Sequence, residues 1–313
     1  MLIRGQLLVK EEKMRRIIII LLVFSVSTVI ADTGAKVGLS FLKIGVDARA
    51  AAMGDAYSSC AHDAAAAYWN PAGLAGAAAN SVVLMHNAWL QDINQEFAAI
   101  QFLNGDHNLA VSINMLNVSG IELRDETASE EPVGTTDVIN TYLGLAYATT
   151  IMKDWQVGIQ LKYLYEKYYF ESADGFALDL GIKRQNILAG LNWALVIQNL
   201  GKMSVLRNES TPLPLLFRSG FNYKLPFQLF DYQPLLAADL VYVADDITTF
   251  NLGFETRIVN HVDLRAGYIL GRDSQHFRGG FGIVFGAFDV AYAFVPFDYD
   301  LGSAHLLSLA IDF

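Results

Sequence analysis

From residue 81 to the end, the chain is a succession of segments of about 9 to 12 residues in which apolar and polar positions alternate, separated by short turn-forming stretches. In Trp155 to Glu166 one face carries Trp155, Val157, Ile159, Leu161, Tyr163 and Tyr165, and the other Gln156, Gly158, Gln160, Lys162, Leu164 and Glu166. The final segment, Ser303 to Phe313, sets His305, Leu307, Leu309, Ile311 and Phe313 against Ala304, Ser308, Ala310 and Asp312. A period of two is the signature of a strand. The reading gives fourteen strands: 81–89, 95–103, 107–118, 138–150, 155–168, 175–184, 188–199, 215–225, 234–244, 248–258, 261–271, 277–285, 287–296 and 303–313. Because 95–103 alternates poorly, twelve strands is the alternative.

The second face keeps collecting Gly, Asn and charges of both signs: Asp179, Lys183, Arg218, Lys224, Glu255, Arg257, Asp263, Arg265, Arg278 and Asp289. Apolar outside with a wet or salt-bridged inside is the pattern of a membrane-spanning barrel. The fold class is therefore all-β, an antiparallel up-and-down transmembrane barrel of about 14 strands. An even count returns both barrel ends to one side. The longest gaps, 119–137 and 201–214, fall on the other side, opposite short turns such as 104–106; the connection 226–233 is an exception. Trp89, Trp155, Tyr168, Tyr169, Phe170, Tyr223, Phe227, Phe230, Phe294 and Phe297 lie near strand ends as candidate girdle aromatics.

Composition agrees. The chain is 53% hydrophobic with mean hydropathy +0.31, yet past residue 31 no apolar run approaches the roughly 18 residues that a membrane helix needs. Only helices and closed barrels satisfy every backbone group in hydrocarbon, so a membrane protein of this kind must be a barrel. Arg15-Arg16, the apolar run Ile17 to Phe24 and Val29-Ile30-Ala31 before Asp32 predict a signal peptide over 1–31, with Met14 as an alternative start. Its removal leaves 17 basic and 30 acidic residues, a balance that argues against nucleic acid as a partner. The single cysteine, Cys60, excludes an internal disulfide.

Between signal and barrel, residues 32–80 form a segment unlike the strands. It is Ala-rich, with helical tendency over Asp47 to Ala52 and Asp63 to Tyr68 and a break at Asn70-Pro71. Small side chains allow close backbone packing, which suits a small helical plug inside a barrel, so the organisation reads 1–31 signal peptide, 32–80 plug, 81–313 barrel.

The stretches Phe41-Leu42-Lys43-Ile44-Gly45, Ala48-Arg49-Ala50-Ala51-Ala52-Met53-Gly54-Asp55-Ala56-Tyr57 and Tyr68-Trp69-Asn70-Pro71-Ala72-Gly73-Leu74 resemble the N-terminal signature of the PorV/PorQ family. Tyr292 to Phe297, Leu301-Gly302 and the closing strand resemble its C-terminal counterpart. Asn-Pro-Ala-Gly-Leu is shared with the wider FadL-like superfamily of fourteen-stranded barrels with an N-terminal plug. Phe313, an aromatic last residue on a terminal strand, resembles the assembly signal of bacterial outer-membrane barrels. The resemblance implies location in the outer membrane of a Gram-negative-type bacterium, contact with its lipid, and a role in type IX secretion, with secreted cargo or secretion-pore subunits as partners. Asp47 and Asp55 depart from the pattern, standing where the family more often has Gly.

On that reading the barrel is a binding module with Arg124, Asp125, Glu126 and Arg207 as candidate recognition residues in the outer loops, beside Glu122, Glu130, Glu131, Asn208 and Glu209. The alternative is FadL-like passive transport of hydrophobic small molecules, with Met53, Tyr57, Tyr68, Trp69 and Leu74 lining an apolar pocket. These same residues pack the plug if there is no pocket. No catalytic constellation, metal site or cofactor motif emerges. His62-Asp63, His86 and His261 are dispersed without ligand spacing, and Gly279-Gly280-Phe281-Gly282 sits within a strand pattern.

Overall fold

The computed structural model describes residues 38–125 and 130–313. The predicted signal peptide lies outside them. Fourteen strands, numbered in chain order, close into an antiparallel barrel: β1 (Ser81–Ala88), β2 (Ile93–Asn104), β3 (His107–Leu123), β4 (Gly134–Met152), β5 (Trp155–Tyr168), β6 (Glu171–Leu188), β7 (Leu191–Met203), β8 (Leu216–Lys224), β9 (Leu235–Val243), β10 (Thr248–Val259), β11 (Val262–Leu270), β12 (Phe277–Phe285), β13 (Phe288–Pro296) and β14 (Ser303–Asp312). Every strand pairs with its sequence neighbours, and β1 closes on β14 with Ser81 opposite Asp312. The count is fourteen, not twelve.

The alternation holds in space. Along β5, Ile159, Leu161 and Tyr163 are 40%, 50% and 42% exposed, whereas Gln160, Lys162 and Leu164 are buried. The exposed ring of apolar side chains continues round the wall through Leu143, Leu145, Phe176, Leu236, Leu252, Leu264, Phe281 and Leu307. Such a surface is unstable in water and matched to hydrocarbon. Among the described residues no helix is long and apolar enough to cross a membrane; the strands do so. Lysine at Ile159 is therefore expected to cost about 2–4 kcal/mol near the bilayer midplane, measured as a lowered urea midpoint for refolding into vesicles. An unchanged midpoint would mean that this face does not meet lipid.

The sequence leaves the inner face either wet or salt-bridged. At the level of Gln160 it is packed: Gln160 is buried, donates to Ser112 Oγ (2.8 Å) and lies against Gly144. Two outer gaps differ from expectation. The ladder of β3 and β4 continues to Leu123 and Gly134 through a bulge between Val118 and Ile121, which puts Glu122 in a strand. The stretch 201–214 contains the end of β7 and a small hairpin of Val205–Leu206 with Glu209–Ser210. On the opposite side, Leu229 and Tyr232 bridge across the long connection between β8 and β9 and give it a turn of its own. Trp89 and Phe297, expected as girdle residues, instead pack edge-to-face on each other at 5.2 Å and against the luminal core.

Candidate functional site

Residues 38–80 run through the barrel, and what they meet defines the site. Helix α1 (Ala48–Ala52) is capped by Asp47, whose carboxylate accepts from the Arg49 N–H. Helix α2 (Ala66–Trp69) ends at Asn70, which is extended; its Oδ1 accepts from the Ala72 N–H (3.0 Å) and starts the 3₁₀ turns of Pro71–Gly76. Pro71 at the first position of that helix loses no backbone bond.

Small residues allow the segment to approach the wall by backbone. A Cβ on Gly267 of β11 would collide with the Gly54 nitrogen, and Gly54 itself has φ +65°. Gly158 of β5 lies equally close under Pro71 and Ala72. Wall side chains satisfy the segment's polar backbone: Ser308 accepts from the Ala48 N–H (2.7 Å) and Asp239 from the Ser58 N–H (3.0 Å). Gln101 and Lys183 donate to the carbonyls of Leu74 and Ala61, each at 2.8 Å.

The signature residues from Gly45 to Leu74 come together as one core. Met53, Tyr57, Tyr68, Trp69 and Leu74 are each buried to 1% exposure or less. Trp69 donates to the Val46 carbonyl (2.9 Å), meets Tyr57 and Tyr68 edge-on at 5.8 and 5.1 Å, and lies under the Arg218 guanidinium at 4.9 Å. The Tyr68 hydroxyl donates to the Ile44 carbonyl (2.9 Å). Gly45 packs against Trp69, and Gly73 against the Ala61 carbonyl. These aromatics pack against one another and against the buried cluster around them.

Ion pairs lock the segment to the wall. Arg49 makes a bidentate contact with Glu255 of β10 (2.8 and 2.7 Å), and Arg265 of β11 donates to the same carboxylate (2.7 Å). Arg265 also reaches Asp263, which Arg257 engages from the other side. Arg278 donates to Asp55 (2.8 Å). Burial, with Arg278 beside it, pushes the loop residue Arg272 down to about 10. The departures at positions 47 and 55 thus have local reasons, a helix cap and a partner for a buried arginine. Sequence reading identified the charges but not their partners.

Below this network, at the end where β1 begins and β14 stops, a vestibule of about 730 Å³ opens. Arg49, His62, Asp63, Lys183, Arg257 and Asp289 are among its lining residues. Among the described residues no cluster of potential ligands could hold a metal.

The remaining candidates lie apart from this core. Arg124 donates to Glu122 (2.7 Å) at the tip of the β3–β4 hairpin, next to Asp125. Arg207 (φ +60°) turns the small hairpin. Glu126 lies outside the described residues. Phe313 is 61% exposed at the opposite end, and its N–H donates to the Asn80 carbonyl (2.9 Å) across the β1–β14 seam.

A family model described as type IX secretion system protein PorV matches residues 31–182, which comprise the luminal segment and most of the first six strands. Among solved structures, the toluene transporter TodX of Pseudomonas putida is similar at 12% identity and TM-score 0.59, over 85% of this chain and 97% of that one. A Pseudomonas aeruginosa FadL homologue is similar at 11% identity and TM-score 0.58, over 86% and 98%. At these identities the likeness concerns the fold. No curated protein sequence matches the chain.

Proposed function

The chain belongs to the PorV family and carries a FadL-like β-barrel of the Gram-negative outer membrane, and from that premise we propose that it is a non-enzymatic binding module serving type IX-like protein secretion. Residues 38–80 act as a permanent plug, and the work is done at the surface, where outer loops receive secreted cargo or a secretion-pore subunit. The observation that supports this reading over transport is the filling of the lumen. Trp69, Tyr57, Tyr68, Met53 and Leu74 are all buried, and the segment is fixed by hydrogen bonds and ion pairs on many sides. A hydrophobic solute crossing the barrel would have to displace that core.

The test is recovery of the intact protein from native outer membranes in mild detergent through an affinity tag in the connection between β8 and β9, on the rim away from the candidate recognition loops, leaving Phe313 untouched. Secreted proteins sharing a C-terminal β-domain, or secretion-pore subunits, are expected in the eluate by mass spectrometry. A bare barrel carrying hydrocarbon or lipid would overturn the proposal in favour of FadL-like transport.

A further inference from the structure

The luminal segment has a direction, and the direction assigns its two ends to opposite sides of the barrel. The Gly38 N–H donates to the Pro212 carbonyl (3.0 Å) in the connection between β7 and β8. Thr211, beside it, donates to Glu166 near the far end of β5 (2.6 Å), which holds this connection over the mouth. Lys43 pairs with Asp246 in the turn between β9 and β10 (2.5 Å). All these contacts lie at the end of the barrel that carries the β3–β4 hairpin. The other end of the segment meets the other rim: Gly76 lies against Gln156 and Gln185, and Asn80 accepts from Phe313 and, through its side chain, from the Leu103 N–H (2.8 Å).

We infer that residues 38–80 are a strut anchored at both rims, whose first residues form part of the loop-side surface that a partner meets. Ser40 is exposed at that rim, next to the Lys43–Asp246 pair. An outer-membrane barrel keeps its short turns in the periplasm and its longer loops outside, so Ser40 and Lys43 face the cell exterior. This surface is then composite. A polypeptide landing on the outer loops touches Ser40 and its neighbours as well as the hairpins, and the segment beneath it runs without interruption to the vestibule on the far side. A strut held in this way cannot be expelled into the periplasm without drawing Gly38 to Lys43 through the filled lumen.

The experiment places single cysteines in the full-length protein in a Cys60→Ser background: Ser40→Cys at the proposed outer end of the strut, Asn208→Cys in the outer hairpin, and Lys153→Cys in the turn between β4 and β5. Intact cells are treated with a membrane-impermeant maleimide, and folding of each variant is checked by heat-modifiable migration. The expected result is labelling of Ser40→Cys together with Asn208→Cys in intact cells, and of Lys153→Cys only after permeabilisation. Labelling of Ser40→Cys in company with Lys153→Cys, or slow labelling in both conditions while Asn208→Cys reacts at once, would overturn the inference. If Ser40→Cys does not fold, Lys43→Cys with Asp246→Cys supplies a second readout: because the native contact is bridged by the length of the lysine side chain, a short bis-maleimide that alkylates both thiols should link the segment to the β9–β10 turn and change migration, and no crosslink would also overturn it. Because these readouts require no partner, they are independent of whether the secretion proposal holds.

Discussion

Alanine at Trp69 is expected to destabilise the barrel by about 3–5 kcal/mol, the range for removing a large aromatic from a core that cannot collapse. The indole is wholly buried and sits between Tyr57, Tyr68 and the Arg218 guanidinium, inside a ring of hydrogen-bonded strands that closes on itself. Its N–H also satisfies the Val46 carbonyl, and an orphaned buried acceptor adds about 1–3 kcal/mol. Phenylalanine separates the two contributions, since it keeps most of the packing and loses the hydrogen bond. The measurement is a urea titration of the purified protein in lipid vesicles. If Trp69→Ala unfolds at the wild-type urea concentration, the segment does not stay seated in the lumen, and the binding-module reading loses its main support.

Alanine at Glu255 should cost a comparable amount for a different reason. The carboxylate compensates two arginines at once, Arg49 from the segment and Arg265 from β11, and the Arg265 side chain is only 1% exposed. Breaking a buried pair by removing one partner costs about 3–5 kcal/mol because the remaining charge stays in low dielectric. Glutamine at the same position should lie between alanine and wild type, as it keeps a hydrogen-bond acceptor without the charge. Salt separates burial from exposure: screening weakens exposed pairs over about 10 Å at 0.1 M and buried ones much less, so the loss should persist at high salt. An effect under about 1 kcal/mol, the value typical of solvated surface pairs, would show that the vestibule water reaches and screens the network.

The wall was legible because lipid enforces it. A strand that crosses hydrocarbon favours one apolar face, and most of the fourteen segments alternate for that reason, 95–103 least clearly. Where the constraint ends, so does the legibility. The tips of β3 and β4, with Gly120, Thr135, Thr136 and Asp137, read as loop because strands standing in water need not alternate, although their ladder continues through a bulge where Asp137 accepts from the Gly120 N–H. Trp89 and Phe297 read as girdle residues because position near a strand end does not tell whether a ring faces lipid or turns over the mouth.

The core signature was legible as a group, since Ala, Gly and aromatics in one stretch indicate close packing. Its partners were not. Arg49 and Glu255 are 206 positions apart, and Asp55 and Arg278 are 223 apart; no local pattern links such residues before the sheet has closed. The segment's far end was also hidden: the join to β1 at Ser81 fixes where the segment leaves the lumen, but nothing local shows that Gly38 reaches the Pro212 carbonyl at the opposite rim.

The direction of the segment bears on how the molecule comes into being. A thread with one end on each side of a closed ring cannot be added afterwards unless its free end is pulled through, and here the bore is full. The simplest geometric order is the reverse of a vessel that receives a stopper: residues 38–80 precede every strand in the chain, and the wall is wrapped about them, as a hoop is bent round a core. The ring is completed only when β14, the last strand, meets β1, and the last backbone bond of that seam joins Phe313 to Asn80, the residue where the thread becomes wall.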